Sequence, residues 1–176
     1  MNKPLAKIQI LVGKESDFRQ EKRSNKVNYL VKDDVDLADK LGLDGVLISD
    51  LERDLSSIRI SHPNLLIGGL AYDLADCKNW EMKGVDFIQF FMPENGSQQV
   101  VILGSELLQD IIPREEEYGW MVLSLNKPVF VLGVADFEEL KLVYDKTNVS
   151  GVVFTKHFEQ KFSLEERIKQ VSNIFE

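Results

Sequence analysis

The sequence is poor in the features that mark several large classes of proteins. It contains one cysteine, Cys77, among 176 residues, which excludes an internal disulfide and a cysteine-rich zinc site. No stretch approaches the roughly 18 consecutive apolar residues of a membrane span, and the apolar run near the start is too short for the core of a signal peptide. We therefore expect a cytoplasmic protein in which Cys77 is a buried structural residue on a helix.

Positive charge is also scarce. The chain has 21 lysines and arginines against 29 aspartates and glutamates, so its formal net charge is -8. This balance argues against a broad surface for nucleic acid or for an anionic membrane, although a local group of lysines could still bind a phosphate. A glycine-rich nucleotide loop is missing as well, because LVGKES lacks the second glycine and the Gly-Lys-Ser/Thr order of a P-loop.

The sequence is rich in short apolar runs that alternate with helix-like segments. Its composition of 44% hydrophobic and 28% charged residues is that of an ordinary globular protein, and we expect one domain over residues 1–176. Short runs of Val, Ile, Leu and Phe are typical of strands buried on both faces, and they lie at 6–12, 28–32, 45–49, 64–68, 86–91, 128–133 and 150–155. Helices are predicted at 35–41, 73–83, 105–125, 136–147 and from Ser163, where Glu166 completes a capping box.

One short helix-to-strand segment recurs along the chain. It reads KLGLDGVLI at 40–48, MKGVDFIQF at 82–90 and KTNVSGVVF at 146–154. Gly42, Gly84 and Asn148 stand where the end of a helix needs a left-handed residue. A reused αβ unit with parallel strands is compatible with a parallel barrel or with an open doubly wound sheet.

We favour the α/β class and a TIM-type (βα) barrel, incomplete or shortened at its N-terminus, with about seven to eight parallel strands. Residues 99–103 (QVVIL) are the candidate eighth strand. A shortened barrel would leave an open sheet edge, which a second copy of the chain could cover. A homodimer is therefore expected.

Four segments between residues 28 and 160 carry a resemblance to a known family. They are VKDDVDLA, LGLDGVLISDLERD, LLIGGLAYDLADCKNWEMKGVDFIQFFMP and KPVFVLGVADFEELKLVYDKTNVSGVVFTKHF. Their order of strands, helices and acids resembles that of the thiamine-phosphate synthase and thiazole tautomerase family. The resemblance implies a transferase that joins a pyrimidine pyrophosphate to a thiazole phosphate and releases pyrophosphate. It also implies Mg²⁺ and phosphate-binding groups at the C-terminal ends of the strands.

Position by position, the resemblance implies which residues form these sites. For Mg²⁺ it implies Asp33 and Glu52, with Asp50 as a substitute for Glu52. The thiazole phosphate falls at Gly133, Thr155 and Lys156. The candidate contacts to the rest of the substrate are Gln9, Lys14 and His157, the last of which follows the final predicted strand.

Several acids of the same region have a plainer explanation. Asp34, Asp36 and Asp39 fit the start of a helix, where the helix dipole favours negative charge. The segment DLERDL at 50–55 also fits a solvated loop. Val134 and Leu11 stand where the family has a glycine and an arginine. The sequence therefore leaves a second hypothesis, a catalytically silent barrel that binds a phosphorylated ligand or a partner protein, and a third, a receiver-like open sheet, which fits the strand count less well.

Overall fold

Seven parallel strands close into a barrel in the computed structural model, which describes residues 5–13, 24–91, 124–132, 134, 136–154 and 161–175. The strands follow one another around the barrel in chain order. They are β1 (Ile8–Leu11), β2 (Val27–Lys32), β3 (Gly45–Ile48), β4 (Leu66–Ala71), β5 (Phe87–Phe91), β6 (Val129–Leu132) and β7 (Gly151–Phe154). The TIM-type α/β barrel that the sequence predicts is confirmed, with each of these strands inside a predicted run or overlapping it.

The barrel closes where β1 pairs with β7. Gln9 of β1 lies opposite Val153 of β7 on one side and opposite Asn28 of β2 on the other. The expectation of an open sheet edge is therefore wrong for the described strands, and a homodimer has to be argued on other grounds. The candidate eighth strand at 99–103 and residues 105–123 of the predicted helix lie outside the described residues, and residues 124 and 125, which are described, are not helical.

Five helices occur in the part of the chain that the structure describes, and α1 and α3 pack against the strands that flank them. They are α1 (Val35–Lys40), α2 (Leu55–Ser61), α3 (Leu74–Lys83), α4 (Phe137–Thr147) and α5 (Leu164–Phe175). The sequence did not predict α2, because its serine and isoleucine residues have modest helix propensity. Asp54 begins this helix, since its carboxylate accepts a hydrogen bond from the Ser56 backbone nitrogen at 2.9 Å.

Side chains that alternate along the strands form two apolar layers. The inner one fills the barrel and comprises Leu30, Leu66, Phe87, Phe130 and Val153. The rings of Phe87 and Phe130 meet edge to face, with their centroids 5.6 Å apart. A Cβ on Gly68 would lie 2.2 Å from the Phe87 ring, so only glycine leaves room for that ring. The interior is a packed core and not a pore.

The recurring segment fastens neighbouring strands at the N-terminal edge of the barrel. Asp44, just before β3, accepts a hydrogen bond from the Tyr29 nitrogen of β2 at 2.8 Å. Asp86, just before β5, accepts one from the Ile67 nitrogen of β4 at 2.7 Å. In the third copy the Ser150 hydroxyl accepts from the nitrogen of the first residue of β6 at 3.3 Å. These side chains stabilise the end of the barrel that lies opposite to the usual place of catalysis.

The residues that end the helices also match the sequence prediction. Gly84 and Asn148 follow α3 and α4 with φ values of +76° and +54°, and Gly42 lies just past α1 with φ +60°. A left-handed backbone stops each helix and turns the chain towards the next strand. Each copy of the repeat thus consists of a left-handed turn followed by a side chain that hydrogen-bonds to the neighbouring strand.

Cys77 is buried in α3, as predicted. Burial raises the pKa of its thiol to about 12, and the nearby carboxylates of Asp76 and Asp73 act in the same direction. A thiol with such a pKa stays protonated and unreactive. None of the helices in the described ranges is long and apolar enough to cross a membrane.

Candidate active site

Two of the predicted metal ligands follow neighbouring strands at the C-terminal edge of the barrel. Asp33 comes directly after β2, and Asp50 comes two residues after the end of β3. The two strands are parallel neighbours, with Lys32 opposite Leu47, so both ends open at the same edge. Barrels of this kind hold their catalytic groups at that edge.

The carboxylate of Asp33 is bonded through both of its oxygens to Ser49. The Ser49 backbone nitrogen donates to Oδ1 at 2.7 Å, and the Ser49 hydroxyl donates to Oδ2 at 2.5 Å. The Asp33 nitrogen donates in turn to the Leu47 carbonyl oxygen at 2.9 Å. These bonds join the end of β2 to the end of β3. They hold the Asp33 carboxylate against the residue that directly precedes Asp50.

Asp33 also has an unusual backbone. Its φ of +57° lies in the left-handed region, which is unfavourable for a residue with a Cβ atom by roughly 1–2 kcal/mol, although aspartate tolerates it better than most. Strained conformations of this sort concentrate at functional sites. The backbone of Asp33 therefore adds a second reason to treat it as a functional residue.

The other acids near Asp33 belong to α1. Asp34 begins the helix, because its carboxylate accepts a hydrogen bond from the Leu37 nitrogen at 2.9 Å. Asp36 lies in the first turn, and Asp39 is exposed with its Oδ1 at 3.6 Å from Nδ1 of His62. The interpretation of these three acids as helix-start and surface residues is confirmed.

Asp50 and Glu52 lie in the exposed turn between β3 and α2. Oδ1 of Asp50 accepts a hydrogen bond from the Glu52 nitrogen at 2.9 Å. This bond is compatible both with a solvated loop and with a metal site. Within the ranges that the structure describes, no three His, Cys, Asp or Glu side chains converge to hold a metal ion. A metal held by these residues would have one or two protein carboxylates as ligands. Mg²⁺ fits that arrangement, because it keeps several waters and binds substrate phosphates.

Gln9 lies inside the barrel, where it is bonded to Gln89 of β5. Both side chains are 0% exposed, and Nε2 of Gln89 donates to Oε1 of Gln9 at 2.6 Å. Nε2 of Gln9 and Oε1 of Gln89 have no hydrogen-bond partner among the described residues. Reversing both amides exchanges the atoms but still leaves one donor and one acceptor unpaired. Gln9 is thus sealed in the core, and one of its two polar side-chain atoms is already hydrogen-bonded.

Sequence reasoning missed three polar residues of this region, Lys32, Ser49 and Gln89. Lys32 is the exposed last residue of β2, and it shares the inward face of that strand with Leu30. The alternation in VNYLVK could have revealed it. Ser49 and Gln89 are recognised only through partners that are 16 and 80 positions away in the chain.

The remaining predicted site residues cannot be compared with the structure. Lys14, Gly133, Thr155, Lys156 and His157 lie outside the described residues. Their roles stay predictions.

Comparison with known proteins identifies the family. A family model described as thiamine monophosphate synthase matches residues 12–158. The chain belongs to this family. The match covers Asp33, Ser49, Asp50 and Glu52, whereas Gln9 lies ahead of it.

Individual members of the thiamine monophosphate synthase family resemble the chain at modest identity. The thiamine-phosphate synthase of Pyrococcus horikoshii is 27% identical over 126 residues, which are 70% of this chain and 56% of that protein. The thiamine-phosphate synthase of Pyrococcus furiosus is 26% identical over 137 residues, 77% of this chain and 61% of that protein. The chain thus spans less than two thirds of the length of these curated relatives.

A solved structure shares the fold. The thiamine phosphate pyrophosphorylase from Pyrococcus furiosus superposes with a TM-score of 0.68 at 21% identity, over 97% of this chain and 85% of that one. The resemblance to the synthase family that the sequence suggests is confirmed.

Proposed function

We propose that this member of the thiamine monophosphate synthase family joins a pyrimidine pyrophosphate to a thiazole phosphate. The bond between the pyrimidine methylene carbon and the pyrophosphate oxygen breaks, and its electron pair leaves with the pyrophosphate. The thiazole nitrogen supplies the electron pair of the new carbon–nitrogen bond. The observation that carries this proposal is the carboxylate of Asp33, held by Ser49 at the C-terminal edge of a barrel whose family match spans it.

The acids at this edge would bind the metal ion that the leaving group requires. Mg²⁺, when bound, offsets the negative charge that develops on the departing pyrophosphate. Asp33 supplies an oriented carboxylate, and Asp50 or Glu52 supplies a second one. The inward position of Lys32 on β2 supports a contact between its ammonium group and phosphate oxygens.

The remaining substrate contacts are those that the resemblance and the position after the last strand imply. Gly133, Thr155 and Lys156 bind the thiazole phosphate, and Lys14 and His157 line the substrate site. The support for these roles is the family match through residue 158.

The role of Gln9 needs a rearrangement within the barrel. A pyrimidine could contact this buried side chain only after the bond to Gln89 opens or through the unpaired Nε2. The burial of Gln9 and its bond to Gln89 support the second candidate function, a catalytically silent barrel that binds a phosphorylated ligand or a partner protein.

The proposed reaction also suggests where the protein works. Phosphorylated small molecules are its ligands, and the use of such metabolites supports the cytoplasm as its location. The net charge of -8 supports the expectation that neither nucleic acid nor an anionic membrane is a partner. The expected homodimer stays a prediction without its original ground, the open sheet edge, and light scattering tests it.

A direct assay tests the synthase function. The protein is incubated with the pyrimidine pyrophosphate, the thiazole phosphate and Mg²⁺, and release of pyrophosphate is measured together with the coupled product. We expect product only when both substrates and Mg²⁺ are present. Intact substrates and no product above a buffer blank would remove the synthase function. Calorimetric binding of thiazole phosphate without turnover would then favour the silent barrel.

A matched pair of substitutions separates the metal ligand from its neighbours. We expect Asp33→Ala to lower the rate by at least about tenfold, because it removes a carboxylate from the metal. Asp36→Ala removes the same charge from the first turn of α1 and should leave the rate nearly unchanged. Equal rates for the two variants would exclude a special role for Asp33.

A further inference from the structure

We propose that Ser49 is a positioning residue, whose hydroxyl orients the Asp33 carboxylate for Mg²⁺. The inference rests on the proposed function for the use of the metal ion. It concerns a residue that contacts neither the metal ion nor the substrate and acts through Asp33.

The geometry of the pair gives the hydroxyl a specific task. The bond from the Ser49 nitrogen to Oδ1 at 2.7 Å uses the backbone, so any residue at position 49 other than proline could make it. The bond from the Ser49 hydroxyl to Oδ2 depends on the side chain. The terminal torsion of aspartate is otherwise broad, and two bonds to different oxygens fix the plane of the carboxylate. Each oxygen keeps a further lone pair that can face a metal ion.

A carboxylate that only joined two strands would need neither bonds to both of its oxygens nor a left-handed backbone. Asp44 joins two strands at the opposite edge, and it does so with an ordinary backbone φ. Asp33 instead makes its bonds from a left-handed backbone with φ +57°, which lowers the stability of the fold. The strand ends are already joined by the bond from the Asp33 nitrogen to the Leu47 oxygen. A requirement for one orientation of the carboxylate accounts for the additional bonds and for the strain.

Carboxylates that bind metal ions are commonly held by hydrogen bonds from residues outside the metal's own ligands. Loss of such a partner typically weakens metal affinity by about 10–100-fold. We therefore expect Ser49→Ala to weaken binding of the metal by about tenfold, because the backbone bond remains. Ser49→Thr keeps the hydroxyl and should restore most of the affinity.

Metal affinity is measured on the full chain without substrates. Mg²⁺ is titrated by calorimetry, and free Mn²⁺ is counted by electron paramagnetic resonance. Asp33→Ala gives the value for loss of the ligand itself. Ser56→Ala is the matched control, because the contact of Ser56 with Asp54 uses its backbone nitrogen and not its hydroxyl. Thermal unfolding of every variant shows that the fold is retained.

The outcomes distinguish this inference from the synthase function. Wild-type affinity in Ser49→Ala, equal losses in Ser49→Thr and Ser49→Ala, or no metal binding by the wild-type chain would each overturn the role of Ser49. If product forms in the synthase assay while Ser49→Ala binds metal normally, the function stands and the inference falls. If Ser49→Ala loses affinity and Ser49→Thr regains it while no product forms, the inference stands and the synthase function falls.

Discussion

Nε2 of Gln89 donates a hydrogen bond to Oε1 of Gln9 at 2.6 Å and so links β5 to β1 across the interior of the barrel. The two amides are wholly buried, and each leaves one polar atom unpaired among the described residues. A buried polar group without a partner typically costs about 1–3 kcal/mol. The pair is thus an unfavourable way to fill a core, which suggests that another requirement retains it.

Single and double substitutions at this pair measure that cost. Gln89→Met keeps the side-chain volume but leaves both polar atoms of Gln9 unpaired, so we expect the free energy of unfolding to fall by about 1–3 kcal/mol. The double substitution Gln9→Met with Gln89→Met removes all four polar atoms and should be at least as stable as the wild type. Urea unfolding of the four proteins completes a double-mutant cycle. A double variant as unstable as the sum of the single ones would contradict the prediction.

Asp86 provides a prediction for the opposite edge of the barrel. Its carboxylate accepts a hydrogen bond from the Ile67 nitrogen at 2.7 Å, and its oxygens lie 3.1 and 3.2 Å from the guanidinium of Arg59. We expect Asp86→Ala to lower the free energy of unfolding by about 2 kcal/mol, because it leaves the strand nitrogen unpaired.

Arg59→Ala removes the guanidinium contact of Asp86 together with the hydrogen bond from Arg59 to the Gly84 carbonyl oxygen at 2.8 Å, and it leaves the bond from the Ile67 nitrogen in place. The Arg59 side chain is 38% exposed, so its loss should lower the free energy of unfolding by less than about 1 kcal/mol. Both variants should keep full synthase activity, measured at a temperature where they are folded. Loss of activity in folded Asp86→Ala would show that this edge also takes part in function.

The fold could be predicted from the sequence because its strands are mostly apolar on both faces. Runs such as GVLIS and SGVVFT are recognisable without any partner, and all seven strands were found in this way. The helix α2 was missed, because it has little apolar periodicity and its formation depends on the Asp54 cap and on packing of Leu55 and Ile58.

The candidate site could be predicted only in part, for a different reason. Asp33 and Asp50 each follow a visible strand, so the rule that parallel strands end at one edge brings them together. No pattern in the sequence distinguishes Ser49, because its contact with Asp33 forms only when β2 and β3 lie side by side. The strain at Asp33 is likewise invisible, since aspartate is common in both ordinary and left-handed turns.

The capping box at the start of α5 predicts a dependence of stability on pH. The Ser163 nitrogen donates to Oε2 of Glu166 at 2.8 Å, and this bond lowers the pKa of the Glu166 carboxyl below its ordinary value. A lowered pKa in the folded state means that the charged form stabilises the fold at neutral pH. This contribution is complete above the unfolded pKa of about 4.3 and is lost as pH falls through the lower folded value.

Glu166→Gln removes the charge and keeps a side chain that can close the capping box. We expect the variant to be less stable than the wild type at pH 7 and equally stable once the carboxyl is protonated in both states. Thermal unfolding from pH 7 to pH 3 measures the difference. Glu165→Gln removes an equal charge one position away and should show a smaller change across this range. A difference for Glu166→Gln that stays constant with pH would contradict the prediction.

Lys32 offers the sharpest test of how the substrate is held, because a matched lysine precedes the same strand. Lys32 ends β2 at the candidate site, whereas Lys26 lies just before β2 at the opposite edge. If the Lys32 ammonium group contacts the pyrophosphate, Lys32→Ala should raise the KM for the pyrimidine pyrophosphate by at least about tenfold, since a hydrogen bond to a charged group is worth about 1.5–3 kcal/mol.

Lys26→Ala lowers the net charge by the same amount and so controls for the attraction of an anionic substrate by the protein as a whole. We expect this variant to keep the wild-type KM, and Lys32→Arg to recover part of the loss, because it keeps the charge with a different shape. Steady-state kinetics at fixed ionic strength provide the measurement. Equal changes in Lys32→Ala and Lys26→Ala would mean that the overall field, and not a contact at the end of β2, attracts the substrate.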